Sequence, residues 1–296
     1  PVMPALLAHD AEVAASGITT VYDALGVGDH DERGIRGQDM TEVLDALVAA
    51  QDARCLRAEH WVHVRAEIAA GNTRALFAPF ENHRLVRLVS VMDHTPGQRQ
   101  WHDLARYRTY QQGKRGLSDA EMERFIARAR EMQAHHAAAN RRHFVAYCTS
   151  RGIPLASHDD TTAAHVDEAH AEGMAISEFP THAEAARRAR EVGMSVVMGA
   201  PNVVRGGSHS GNVAAADLAR AGLLDTLSSD YVPSSLLAAA FLLRSAAGFD
   251  LPAAVRTVTL HPARSVGLVD RGEIAPGRRA DLVRVRLLGD QPVVRA

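Results

Sequence analysis

Apolar and polar positions along this chain switch repeatedly between a helical period and runs of strand type. Residues 4–16 read as a helix, and Gly17-Ile-Thr-Thr-Val-Tyr-Asp23 as a strand. Residues 39–53 are patterned as a helix, 59–68 as a strand and 85–93 as another strand. A long helical stretch at 118–151 carries charges at helical spacing. Strands at 153–158, 174–178, 194–199 and 224–229 then alternate with helices at 161–172, 182–192, 212–221 and 234–247. Gly173, Gly193 and Gly222 stand where helices close.

Short units of strand, loop and helix predict parallel strands joined by crossover helices. Seven such strands are visible, and a closed (β/α)8 barrel needs eight. An open doubly wound sheet is the alternative, but no glycine-rich dinucleotide turn follows the first strand. The polar residues favour the barrel. Asp23, Glu67, Asp93, His158, Glu178, Asn202 and Asp230 stand at expected strand ends, which in a barrel converge on one face. Parity on the 59–67 strand puts Glu59, Trp61, His63, Arg65 and Glu67 on one face and Val62, Val64 and Ala66 on the other. The apolar face suits packing under helices and the polar face the barrel interior; a half-exposed edge strand is the other reading. Residues 270–296 change character and read as a turn with two short β pieces.

Composition narrows the function classes. With 33 Lys+Arg against 35 Asp+Glu, the net charge of −2 offers no electrostatic reason for nucleic-acid or anionic-membrane binding. No apolar run reaches the ~18 residues of a spanning helix, and no signal peptide is visible. Two cysteines, Cys55 and Cys148, exclude a disulfide scaffold and fit a reducing, cytoplasmic setting. The basic residues are nearly all arginine, so a mechanism needing a buried lysine has one candidate, Lys114, in a turn-like Gln-Gly-Lys-Arg-Gly context.

Four segments carry candidate chemistry. In Ser157-His158-Asp159-Asp160 an imidazole at a strand end can ligate a metal while neighbouring carboxylates orient its second nitrogen. Asp160 also reads as the N-cap of the following helix. In Ser228-Ser229-Asp230-Tyr231 the aspartate can ligate a metal and act as a base, or serve as a loop residue. In Arg205-Gly206-Gly207-Ser208-His209-Ser210-Gly211-Asn212 paired glycines can turn backbone N–H groups inward around an anion, with Arg205 forking onto phosphate oxygens. A flexible surface loop is the bland reading, and the ending of a Walker loop is absent. Met92-Asp93-His94-Thr95-Pro96-Gly97-Gln98-Arg99-Gln100 ends a strand in Asp-His and a Pro-Gly turn; Arg99 could reach a phosphate, or the segment is a solvated turn.

Taken in order, Arg-Ala-Glu-His (57–60), Met-Asp-His-Thr-Pro-Gly-Gln-Arg-Gln, Ala-Ser-His-Asp-Asp, Glu-Phe-Pro-Thr, Met-Gly-Ala-Pro-Asn, Arg-Gly-Gly-Ser-His-Ser-Gly-Asn and Leu-Ser-Ser-Asp-Tyr resemble the amidohydrolase superfamily. Within it they are most similar to the diphosphatases of the bacterial carbon–phosphorus lyase pathway, over nearly the whole chain. The resemblance implies an α/β, TIM-like metal-dependent hydrolase barrel over residues 1–265, with 266–296 as the C-terminal part of a small β subdomain. It implies hydrolysis of a ribose 1-methylphosphonate 5-triphosphate to the 5-phosphate and diphosphate, with a divalent metal such as zinc or manganese. His158 and Asp230 match the superfamily's fifth-strand histidine and eighth-strand aspartate, both metal-site and catalytic residues.

Two departures from the superfamily pattern shape the expectations. The first-strand metal motif is not in this sequence, so the barrel is expected to lack its first strand, with strands 17–23 and 224–229 as edges. The bridging lysine is also absent, so a carboxylate, Glu67 first and Glu178 next, is expected to replace it; His63 joins the metal candidates. Arg205, Gly206, Gly207, Ser208, His209, Asn202, Asp93, His94 and Arg99 are the expected substrate contacts. A phosphorylated sugar is the expected partner, with a homo-oligomer left open. The competing functions are an amidohydrolase acting on a C–N bond and an inactive truncated barrel.

Overall fold

The computed structural model describes residues 2–29, 40–208 and 211–295. Seven parallel strands form one curled sheet in chain order: β1 (Thr20–Val27), β2 (Glu59–Glu67), β3 (Val86–Met92), β4 (Leu155–His158), β5 (Ile176–Glu178), β6 (Ser195–Gly199) and β7 (Thr226–Ser228). Among the described residues β1 pairs only with β2 and β7 only with β6, so this half-barrel stays open between them. The connections carry α1 (Val2–Ala15), α2 (Thr41–Asp52), α3 (Thr73–Phe77), α4 (Leu104–Arg115), α5 (Asp119–Arg151), α6 (Ala163–Ala171), α7 (Ala183–Glu191), α8 (Ala200–Arg205), α9 (Ala215–Arg220), α10 (Ser235–Ala247), α11 (Leu251–Arg256) and α12 (Leu260–Ser265). None is long and apolar enough to cross a membrane.

Local chemistry sets the helix ends. Helix α5 opens on a capping box, Ser118 and Glu121 exchanging side-chain and backbone hydrogen bonds. It closes at Gly152 in the left-handed conformation, φ +62°. Gly173 (φ +81°), Gly193 (φ +82°) and Gly222 (φ +68°) follow α6, α7 and α9 in the same way, so the short strand–helix rhythm is punctuated where the glycines stand.

The parity of β2 builds two environments. Val62, Val64 and Ala66 are fully buried in the main core with Leu44 and Leu47 of α2, Phe77 of α3 and Phe144 of α5. That core holds the helices on the sheet by apolar burial. The other face sends His63, Arg65 and Glu67 toward side chains of β3, β5 and the β3 and β4 ends. At the far end of the strand Glu59 receives Arg271 and Arg279, and Trp61 lies under the Arg87 guanidinium.

Three expectations need correction. Strand β1 runs on to Val27, because Ala-Leu-Gly-Val extends its pattern, so Asp23 is not at a strand end. It sits mid-strand beside Val62 and bonds His9 at 3.0 Å and His60 at 2.8 Å. Residue 114 falls in the last turn of α4, not in a turn, since the helix runs from its Asp103 cap to Gly116. Asp160 does not cap α6; Thr162 does, accepting from the N–H of His165.

At the C-terminus β8 (Val285–Leu288) and β9 (Gln291–Val294) form an antiparallel pair. Arg271 donates to Thr20 Oγ1 at 2.8 Å and to Glu59, which ties this segment to the starts of β1 and β2. Gly17 (φ +82°) lies where a Cβ would meet Val294 and Val283 at 3.0 and 3.1 Å, so the hairpin packs on that turn.

Candidate metal centre

Two carboxylate–imidazole pairs face each other across the carboxyl ends of β2 to β5. Glu67, the last residue of β2, accepts from His94 Nδ1 at 2.6 Å and from the His94 backbone N–H at 3.2 Å. Glu178, the last residue of β5, accepts from His158 Nδ1 at 2.6 Å. A carboxylate only accepts, so both rings carry their proton on Nδ1 and turn Nε2 away from the partner. The two Nε2 atoms converge on one oxygen: Asp159 Oδ2 is 3.6 Å from His94 and 3.3 Å from His158. Among the described residues His94, His158 and Asp159 are the group whose ligand atoms all lie within 4.8 Å of one another. Two imidazole nitrogens and a carboxylate oxygen, each imidazole oriented by a carboxylate, form a donor set suited to a divalent metal of zinc type.

The floor beneath is polar and connected. Arg65 donates from Nη1 to Glu178 Oε1 at 3.2 Å and from Nη2 to His158 Nε2 at 3.1 Å. Ser90 Oγ donates to Glu178 Oε2 at 2.9 Å and stands 2.5 Å from His63 Nε2. Burial alone would raise the Glu178 pKa, but the Arg65 charge and the hydrogen bond from His158 outweigh it and hold the carboxyl well below its usual range. Burial pushes the His63 imidazole down to about 4, so it stays uncharged and donates from Nε2 to Ser90.

Backbone strain gathers at the same end of the sheet. Arg99 (φ +42°), Asp159 (φ +55°), Phe179 (φ +58°) and Asp230 (φ +52°) are non-glycine residues in the left-handed region. Such conformations persist where surrounding contacts over-determine them, typically at functional sites.

Placement of the other candidates is mixed. His63 is inside the barrel as parity implies, but four residues, or ~13 Å of strand, below Glu67; it is bonded to Ser90 and outside the His94 group. Glu67 and Glu178 engage the Nδ1 atoms of the histidines and are not among the clustered ligand atoms. Asp230 is exposed two residues past β7 and is not in that cluster either. Its carboxylate lies over the end of β6, where a Cβ on Gly199 would come within 3.1 Å of Oδ2.

The loop that follows β6 departs from an anion cradle. The N–H of Gly206 donates to Val203 O at 3.1 Å and that of Gly207 to Asn202 O at 2.9 Å. With Gly206 at φ +77°, these amides close helix α8 and do not turn toward an anion. Arg205 is exposed at the end of that helix and Ser208 half-buried beyond it; His209 lies outside the described residues. Asn202 Oδ1 accepts from the N–H of Ala215 at 2.9 Å, at the start of α9. Asp93 is buried, bonded to Thr95 N–H and to Gln133 on α5. Arg99 is buried too, and its Nη1 donates to Asp160 at 2.5 Å and to His158 O at 3.0 Å, so that nitrogen is engaged within the protein.

Sequence reasoning missed Asp159 as a third ligand atom and Arg65 and Ser90 as the support of Glu178. The parity of β2 already placed Arg65 inside. For Asp159 the only signal is its adjacency to His158, which does not say that the chain turns left-handed there.

Residues 11–294 match the model of the amidohydrolase family. The alpha-D-ribose 1-methylphosphonate 5-triphosphate diphosphatase of Escherichia coli (strain K12) is 49% identical over 285 residues, covering 96% of this chain and 75% of that protein. Two solved structures share the fold at 17% identity and a TM-score of 0.57. They are N-isopropylammelide isopropylaminohydrolase from Burkholderia multivorans and 5-methylcytosine deaminase from Klebsiella pneumoniae. Each covers 99% of this chain, which spans 72% and 71% of their respective lengths. This chain belongs to the amidohydrolase family.

Proposed function

We propose that the protein hydrolyses alpha-D-ribose 1-methylphosphonate 5-triphosphate to the 5-phosphate and diphosphate, the activity for which its E. coli relative is named. The observation that carries the reading is the convergence of two carboxylate-oriented Nε2 atoms and one carboxylate oxygen at the strand ends of a family member. His94, His158 and Asp159 would hold a divalent cation, zinc or manganese, with Glu67 and Glu178 as orienting partners or further ligands. When bound, the cation supplies Lewis acidity toward phosphoryl oxygens and a nucleophile at neutral pH.

The chain's own residues do the rest. A water oxygen adds to a phosphorus of the bridge between the first and second phosphoryl groups, and that P–O bond breaks. Asp230, exposed beyond β7, takes the proton that the water loses. Arg205 closes α8 and Ser208 lies just beyond it, and both contact the outer phosphates there. Positive charge at that place meets the charge that the leaving diphosphate accumulates. Arg65 keeps Glu178 ionised, which preserves the His158 orientation through turnover.

A substrate panel tests the reading. The metal-loaded protein is given ribose and nucleoside triphosphates beside cyclic amides and aminated nucleobases. Turnover of the sugar triphosphate above all others supports it; turnover of an amide or amine alone replaces it with C–N bond hydrolysis.

A further inference from the structure

Asp160 is a buried acid beside the site. Its carboxylate is fully buried; Oδ1 accepts from Arg99 Nη1 at 2.5 Å, and Oδ2 from Ser177 Oγ at 3.0 Å and from Ser157 Oγ. Its carbonyl accepts from the N–H of Thr181 at 2.8 Å. The same Nη1 of Arg99 also donates to the carbonyl of His158 at 3.0 Å. One guanidinium nitrogen therefore holds the residues on either side of Asp159. Between these fixed points the chain turns left-handed at Asp159, φ +55°, and its N–H is held by Glu178 O at 2.9 Å. Arg99 is itself left-handed, φ +42°, so strain is present at both ends of the clamp.

Resting on the metal reading above, we propose that Arg99 and Asp160 are positioning residues: the clamp they form across Asp159 holds its carboxylate against His94 and His158 as the third arm of the metal centre. Released from it, Asp159 relaxes toward an ordinary backbone conformation and its carboxylate leaves the two Nε2 atoms. Neither residue touches substrate. The clamp is charged at both poles and buried, so neutralising one pole leaves the other unpaired.

The test is calorimetric titration of zinc and of manganese into metal-free protein, for the wild type, Asp160→Asn and Arg99→Gln. Unfolding of each metal-free protein is followed in parallel. Arg141→Gln is the control: it removes a buried arginine paired with Glu172 at 2.7 Å, between α5 and α6. The clamp variants should bind metal about tenfold or more weakly, the range seen when outer partners of a metal site are lost. Arg141→Gln should lower the unfolding temperature and leave metal affinity unchanged. Ser177→Ala, which keeps Arg99 and Asp160 paired, gives a folded variant with a smaller loss of affinity if the full clamps fail to fold. Unchanged affinity in folded clamp variants or in Ser177→Ala overturns the proposal while the metal reading stands. A wild type that binds neither metal overturns the metal reading itself.

Discussion

His158 donates its Nδ1–H to Glu178 at 2.6 Å, and that one bond decides which nitrogen the ring offers to the site. Arg65 balances the Glu178 charge, and Ser90 fills a further acceptor position. Replacing the carboxylate by an amide in Glu178→Gln keeps the shape and loses the charge. Metal affinity should fall about 10- to 100-fold, read by titration of metal-free protein. An unchanged affinity would show that the pair does not orient the ring.

His158→Ala should remove metal from the purified protein, measured by elemental analysis. His135→Ala, at an exposed position of α5 outside the clustered ligand atoms, should leave metal content at the wild-type level. Equal metal content in both variants contradicts the placement of the centre.

Arg205 is exposed, so Arg205→Ala should hardly disturb folding. Loss of a charge-assisted phosphate contact, roughly 1.5–3 kcal/mol, should raise KM for the triphosphate about 10- to 150-fold. Steady-state kinetics with unchanged KM and kcat would place Arg205 outside the site. Gly206→Ala asks the complementary question. Its φ of +77° penalises a Cβ although nothing crowds the position. Stability should drop by about 1 kcal/mol in urea unfolding with KM unchanged, because the Gly206 amide is already engaged in closing α8.

A buried staple under α1 gives a pH dependence. His60 is fully buried and lies between Asp23 at 2.8 Å and Asp10 at 3.3 Å; His9 and Arg57 complete the group. Burial favours the neutral ring, but the hydrogen bonds and charges of Asp23 and Asp10 outweigh it and raise the His60 pKa. His9 is raised by the same Asp23, and Asp23 and Asp10 are lowered against the cost of their burial. A raised histidine stabilises the fold below its unfolded value of 6.5, and that contribution fades as pH rises through the folded pKa. The lowered aspartates contribute above their ordinary value of 3.8 and fade on acidification. The stability gap between wild type and His60→Phe should therefore be widest at about pH 5–6 and narrow toward alkaline pH. Urea unfolding across pH checks this, and a gap that does not vary contradicts it.

Much of the frame is legible in the sequence because parallel strands buried on both sides leave short apolar runs between glycine-closed helices. The seven strands, the inward face of His63, Arg65 and Glu67, and the strand-end position of His158 follow from that periodicity. What does not follow is set by contacts remote in sequence. Arg99 meets Asp160 across 61 positions, a contact that its place in a Pro-Gly turn does not announce. Gly206 and Gly207 have the composition of an anion loop, yet only the end of α8 shows that their amides are taken. Helix α4 escapes notice because Leu-Ala-Arg-Tyr-Arg-Thr-Tyr-Gln-Gln has no continuous apolar stripe.

The most direct measurement of the central claim is phosphorus NMR of the reaction mixture, with the protein metal-loaded, chelated and then resupplied with zinc or manganese. The account predicts that the sugar triphosphate gives diphosphate and the 5-phosphate in equal amounts, that chelation stops the reaction and that metal restores it. Orthophosphate as the first product, or full activity in chelated protein without detectable metal, would contradict it.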